Sequence, residues 1–299
     1  MNDKFFITLQ HLLPQHALSR LVGGIANCNR KTISKPFITW FAKRYQVNMG
    51  EAACSDLSQY ACFNDFFTRA LKPGARVVDD RDGAIVSPAD GKVSQLGEIR
   101  AGSLLQAKGR QFSLVSLLGG DTELAEAFQE GSFCTVYLSP KDYHRVHMPL
   151  AGTLTRMIHV PGKLFSVNQL TSEHVDSLFA RNERVVCIFD TETGPMALVL
   201  VGAMIVASVD TVWAGEVCPG QMSCADVHYE DHAPAIAIGK GEEMGRFKLG
   251  STVIALFGPG MVQLDALLKA GDAVSMGQSI GTVLLDTAAI EDVIPADLA

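Results

Sequence analysis

The sequence predicts an α+β protein in which N-terminal amphipathic helices precede a β-rich body resembling a barrel-sandwich or hybrid-motif fold. Three observations lead there. Apolar residues recur at helical spacing through the first 50 positions, and short β-rich runs punctuated by Gly and Pro take over past residue 75. The 299 residues are 47% hydrophobic and 19% charged, which supplies enough apolar surface to offset chain entropy and excludes disorder. At roughly 150 residues per domain the length allows one large or two modest domains. The change of texture places the division at 1–75, a helical segment, and 76–299, a β-rich body.

The helical segment comes first. Phe5, Phe6, Leu9, Leu12 and Leu13 recur at helical spacing, as do Phe37, Trp40, Phe41 and Tyr45. Pro36 after Ser34 suits a first helical position. Lys4, Arg20, Arg30, Lys31, Lys35, Lys43 and Arg44 face only Asp3, so residues 1–50 carry +6 while the whole chain carries −7. A basic segment beside an acidic body points to an anionic partner. Rings among acyl chains and cations at headgroups would suit a membrane surface, with an ordinary amphipathic helix packed on the body as the other reading. No Arg/Lys run or RNA-binding motif supports nucleic acid. Gln10, His11 and Pro14 interrupt the first apolar stretch, so it is no secretory signal.

Further helices are expected over 55–71, 121–130 and 261–269. Strands are expected over 84–87, 92–99, 103–107, 133–138, 152–160, 185–190, 196–209, 235–238, 251–257 and 280–285. The run 196–209 is shorter than the ~20 residues of a membrane span and reads as a buried strand pair. An echo of turn, strand, glycine turn and strand recurs at 87–99, 149–165 and 269–284. The third copy is similar to the hairpin of biotinyl- and lipoyl-type barrels, where Gly permits the sharp reversal. Seven cysteines leave at least one free thiol, as in a reducing compartment.

Three segments carry chemistry. Gly250 precedes Ser251, a hydroxyl nucleophile beside an unshielded carbonyl, although Gly-Ser-Thr before an apolar strand also reads as a simple turn. Tyr143-His144-Arg145-Val146-His147-Met148-Pro149 supplies two imidazoles suited to proton transfer near neutral pH, or two satisfied structural groups. In an extended chain His144 and His147 face opposite sides, which gives them different tasks. Asp90, in Ser87-Pro88-Ala89-Asp90-Gly91, is either a turn cap or the carboxylate that fixes an imidazole. Cys218, Cys224, His228 and His232 have zinc-ligand chemistry, and the histidines have i, i+4 spacing. The loose C-x5-C step and the Pro219-Gly220 neighbours argue for a loop, and no metal is expected.

Together these segments resemble the bacterial, membrane-associated phosphatidylserine decarboxylases. The matching stretches are Phe66-Phe67-Thr68-Arg69 with Leu71-Lys72-Pro73-Gly74-Ala75-Arg76, then Ser87–Gly91, Tyr143–Pro149, Pro161–Asn168, Asn182–Val185 and Gly245–Val253. They keep the family's order across most of the chain. The resemblance implies a proenzyme that cuts itself between Gly250 and Ser251 into a 1–250 β chain and a 251–299 α chain, held together as an αβ heterodimer. Asp90 would orient His147, and His147 would take the Ser251 proton as the hydroxyl attacks the Gly250 carbonyl. Elimination from the resulting ester, then hydrolysis with loss of ammonia, would leave a pyruvoyl group at position 251. That covalent cofactor condenses with the substrate amine and draws electrons from the carbon that loses CO2.

The same resemblance implies phosphatidylserine in an anionic membrane as substrate and phosphatidylethanolamine as product. His144 is the expected proton donor. Phe165, Ser166 and Asn168 are expected at the headgroup, with a structural turn as their other reading, and Arg69 either meets a phosphate or anchors its helix. The implied location is peripheral, on the cytoplasmic face of the bacterial cell membrane, and a homodimer is implied at family level. Two alternatives share part of the pattern. A pyruvoyl decarboxylase of a soluble amino acid would not need the basic aromatic N-terminus, and a non-enzymatic membrane adaptor or carrier would not cut itself.

Overall fold

A computed structural model describes Thr8, Gln10 and residues 13–204, 208–217, 224–248 and 252–284. Helices come first and strands dominate afterwards, the α+β arrangement expected from sequence. Phe5, Phe6, Leu9 and Leu12 lie outside the described residues. Helix α1 spans Gln15–Ala26 and α2 spans Lys31–Tyr45. Pro36 lies inside α2 instead of opening it, at the cost of one backbone hydrogen bond. The aromatic stripe on α2 divides. Phe37 stacks on Phe63 of the short helix α3 (Phe63–Phe67) and Phe41 meets the same ring edge-on, while Trp40 stays 55% exposed. Only this one turn of the expected 55–71 helix forms, because the Asp56 carboxylate takes the Ser58 N–H and turns the preceding chain locally.

Strands, numbered in chain order, form four sheets with antiparallel pairing. The largest runs β12 (Ala225–His228), β7 (Gly152–Val160), β8 (Arg184–Thr191), β9 (Gly194–Val201), β15 (Thr252–Phe257), β5 (Ser132–Tyr137), β2 (Gly91–Glu98) and β17 (Ala273–Val274), with β13 (Ala237–Ile238) also on β7. A second sheet orders β11 (Gly215–Val217), β10 (Ser208–Thr211), β14 (Glu243–Lys248) and β6 (Arg145–His147). A third orders β1 (Ala84–Val86), β18 (Ser279–Val283) and β16 (Val262–Leu264), and β3 (Ser103–Leu105) pairs with β4 (Gln111–Ser113). These sheets are open among the described residues, so the barrel-like closure expected from sequence does not form. The 269–284 segment explains why. Its strands do not pair with each other: β17 joins β2, whereas β18 joins β1 and β16.

Two other expectations change. The 196–209 run is one long strand, β9, followed by β10 in a different sheet. The 261–269 segment forms β16, because its apolar residues pair with β18 and do not wind into a helix. The centre of the large sheet is buried on both faces, as its nearly continuous apolar strands require. Val253, Ala255 and Phe257 of β15 enter one core, while Ile254 and Leu256 enter the other. Helices α4 (Leu114–Leu117), α5 (Thr122–Glu126) and α7 (Leu178–Arg181) contribute to the second core, as does Val175 just after α6 (Gln169–His174). Arg184 ties them to β8. It is buried and donates to the carbonyls of Leu117, Ala180 and Asn182.

Candidate active site

Gly250 and Ser251 lie outside the described residues, but both flanks are described. Thr252 opens β15, between Val201 of β9 and Tyr137 of β5, and Tyr137 pairs onward with Lys92 of β2. The Asp90-Gly91 turn therefore arrives at the end of the sheet where β15 begins. Gly91 is required there, since a Cβ would stand 2.2 Å from the Tyr137 carbonyl oxygen. On the other flank, β14 ends at Lys248 and lies antiparallel to β6 with Glu243 opposite His147. The Phe247 N–H donates to the His144 carbonyl at 3.1 Å. The pairing thus sets the Asp90 turn near the start of β15 and the His144 backbone near the Lys248 end of β14, while His147 lies opposite Glu243 at the other end of β14, its N–H on the Pro88 carbonyl.

His147 is buried, and both ring nitrogens are engaged. Nδ1 donates to the Gly241 carbonyl at 2.8 Å, and Nε2 meets the Tyr143 hydroxyl at 3.0 Å. A carbonyl only accepts, so Nδ1 carries the proton and Nε2 presents its lone pair. Burial holds this imidazole below the usual histidine range, against the opposing pull of the Gly241 carbonyl and Glu243. The contact with Asp90 differs from the expectation. Asp90 and His147 share no hydrogen bond, and the Gly241 carbonyl fixes the tautomer. Asp90 accepts a two-pronged ion pair from Arg76 and the Met276 N–H at 2.8 Å, tying the 90 turn to the segment before β18. Its charge favours protonated His147 without touching it. The physical reason is competition: the Arg76 fork matches a carboxylate better than one imidazole N–H does.

His144 is fully buried against Phe67, with ring centroids 3.8 Å apart. Its Nδ1 donates to the Asp142 carbonyl at 2.8 Å, so the unprotonated Nε2 carries a lone pair, and that atom has no hydrogen-bond partner among the described residues. Burial, helped by the nearby Arg69 charge, pushes its pKa down to about 3. The two histidines thus have different surroundings, as their opposite facing requires. Thr252 Oγ1 is likewise buried with no hydrogen-bond partner among the described residues.

The three expected headgroup residues separate. Phe165 is buried, and its backbone is clamped by the Asn182 carboxamide, whose Nδ2 also donates to Gly202 O just past β9. Ser166 donates its N–H to Gln10. Asn168 caps α6 through a capping box with Thr171, so its side chain serves the helix. Arg69 donates from Nη2 to the carbonyls of Lys141 and Asp142, while Nε and Nη1 are buried with no hydrogen-bond partner among the described residues. It lines a cavity of about 190 Å³ together with Asp90, Arg76 and Tyr143. Sequence reasoning missed Tyr143, Arg76 and Gly241 as neighbours of the site, although the first two lie inside the matching motifs. Of the zinc-type residues, Cys218 lies outside the described residues. His228 ends a strand and His232 donates to the Pro234 carbonyl, so their spacing is not helical.

A family model described as phosphatidylserine decarboxylase matches residues 63–282, and a second, described as PSD, matches 5–46. A phosphatidylserine decarboxylase proenzyme of Pseudomonas fluorescens Pf-5 is 61% identical over 282 residues, covering 94% of this chain and 98% of its own. The proenzyme of the same name from Ectopseudomonas mendocina is 60% identical over 287 residues, covering 95% and 100%. That of Pseudomonas putida GB-1 is 61% identical over 279, covering 93% and 97%. With the family model spanning most of the chain and full-length relatives at this identity, the chain belongs to the phosphatidylserine decarboxylase family.

Proposed function

We infer that the chain is a self-processing enzyme that converts phosphatidylserine to phosphatidylethanolamine and CO2. The observation that carries this is full-length identity of about 60% with phosphatidylserine decarboxylase proenzymes. Such enzyme relatives leave the carrier alternative without support. His147 Nε2 accepts the Ser251 hydroxyl proton as Ser251 Oγ bonds to the Gly250 carbonyl carbon and the amide C–N bond breaks, the proton passing to the freed Ser251 nitrogen. The ester then loses the Gly250 carboxylate by elimination, and water replaces the nitrogen, which leaves as NH3. The pyruvoyl group that results at position 251 supplies an electron sink for the carbon losing CO2. His144 Nε2, a buried lone pair, takes the proton of the substrate ammonium and returns it to that carbon. The two pieces stay together because β15 is held between β9 and β5 at the centre of the large sheet. Intact-mass spectrometry of the denatured wild type tests the processing. Two pieces are expected, 1–250 and 251–299, the second lighter than plain hydrolysis gives by the mass of one NH3, and gaining two hydrogens with borohydride. A folded chain that stays whole, or a 251–299 piece with a free serine, overturns it.

The enzyme meets its lipid as a peripheral protein through α1 and α2. Leu21, Ile25, Ile33 and Trp40 are exposed on these two helices, beside Arg20, Lys31, Lys43 and Arg44. No described helix is long and apolar enough to cross a membrane. The cysteines of the described residues are all free thiols, which accords with the cytoplasmic face. Burying a large apolar side chain contributes roughly 1.5–3 kcal/mol. Leu21→Asp with Trp40→Asp is therefore expected to weaken flotation with phosphatidylcholine–phosphatidylglycerol vesicles by about 100-fold or more. Flotation equal to wild type excludes this face.

A further inference from the structure

Outside the strand ends that bracket Ser251 lies a cleft of about 460 Å³ between α1 and the 163–181 wall. Its lining includes the cations Arg20, Lys163 and Arg181 and the apolar groups of Leu13, Pro14 and Phe165. The two walls are stitched together. Gln15 Oε1 accepts the Leu164 N–H at 2.8 Å, Gln10 Oε1 accepts the Ser166 N–H at 2.8 Å, and His16 Nε2 donates to the Gly162 carbonyl at 2.9 Å. The cleft is therefore preformed.

Its cations are uncommitted. Arg20, Lys163 and Arg181 are exposed, and the side chains of all three lack hydrogen bonds and ion pairs with the described residues. Arg181 rests its guanidinium over the Phe165 ring at 4.9 Å from the centroid, which holds the group in place while its in-plane N–H fork stays available. Glu183, the carboxylate closest to His16, is engaged by His159 at 3.0 Å and is not part of the lining.

Three free donors beside a short apolar wall select a ligand that is both anionic and apolar. Phe165 is only 1% exposed and offers no open ring face, so the cleft lacks the stacking platform a nucleotide base would use. Leu21 and Ile25, the exposed apolar residues of the proposed membrane face, continue along α1 directly from Arg20. We propose that this cleft binds the phosphodiester of an anionic glycerophospholipid, with Arg20, Lys163 and Arg181 holding the phosphate and the Leu13–Pro14 wall receiving the glycerol. The proposal concerns lipid binding and stands whether or not Ser251 is processed.

The test compares two full-length variants that lose the same charge. One is Arg20→Gln/Lys163→Gln/Arg181→Gln, and the other is Lys92→Gln/Arg100→Gln/Lys269→Gln, three exposed cations of the body. The first probe is vesicles of phosphatidylcholine and phosphatidylglycerol without substrate. The cleft variant is expected to bind about 10-fold or more weakly than the body variant. The second probe is short-chain phosphatidylserine below its aggregation concentration. A KM raised with kcat kept identifies the substrate's own phosphodiester as the ligand. An unchanged KM with vesicle binding lost identifies a non-reacting lipid of the leaflet. Equal vesicle binding by the two variants, with unchanged monomer kinetics, overturns the proposal. Arg20→Gln alone, at an exposed position of α1, is expected to give a smaller loss of the same sign and guards against misfolding of the triple variant.

Discussion

His147→Ala is expected to leave the chain at full length, with self-cleavage slowed ~10²–10⁴-fold, the usual contribution of a positioned proton acceptor. The ring is held at both nitrogens, with Nδ1–H on the Gly241 carbonyl and Nε2 facing Tyr143. Its lone pair is therefore fixed before any reaction begins. Burial keeps the imidazole below its usual range, so the active, neutral form persists as pH falls. The wild-type cleavage rate should stay level through pH 6.5, the midpoint of an unperturbed histidine, and decline only below it. Tyr143→Phe separates the base from its neighbour, because it frees Nε2 without removing the ring, and should slow cleavage less than His147→Ala. Time-resolved intact mass after cell-free synthesis reads all of this. A folded His147→Ala chain that cleaves at the wild-type rate removes His147 from the reaction.

Much of this site was legible because its residues sit in short, ordered motifs. Gly91 could be read as a turn residue, and the structure adds the reason that no other residue fits against the Tyr137 carbonyl. The apolar strands β8, β9 and β15 were likewise visible, since burial on both faces writes itself as an unbroken hydrophobic run. Partner choice was less legible. Nothing in the spacing of Asp90 and His147 tells that Arg76 reaches the carboxylate first and that Gly241 takes the imidazole N–H. Both partners come from distant positions and depend on how sheets stack. The second sheet was missed for a related reason. Arg145-Val146-His147 and Glu243-Met244-Gly245-Arg246-Phe247-Lys248 are charged strands whose polar side chains pair across the sheet, Arg145 with Glu243 among them. They show little of the β-branched composition by which strands are recognised. The barrel-like closure failed because a hairpin pattern reports turns, and not the partner each strand finds.

His144→Ala is expected to separate processing from catalysis. Self-cleavage should go to completion, while kcat for phosphatidylserine falls ~10²–10⁴-fold with little change in KM. The resting His144 is neutral, because burial and Arg69 push its pKa down to about 3. A ring in that state is no ready acid, so the proton that replaces CO2 must first be collected. The substrate ammonium carries one, and Nε2 is a buried lone pair with no competing partner among the described residues. Collecting that proton helps the amine become nucleophilic, and returning it completes the product, so one side chain serves both steps without a net charge change. Two consequences follow from the sign of the shift. Activity should not track histidine titration between pH 5 and 8, the range where an unperturbed ring would change charge. In D2O the exchangeable ammonium protons become deuterons, so the new C–H bond of phosphatidylethanolamine should carry deuterium. The His144–Phe67 stack makes loss of packing a rival cause, and completed self-cleavage with an unchanged melting temperature rules it out. A His144→Ala enzyme with wild-type kcat would show that another group moves the proton.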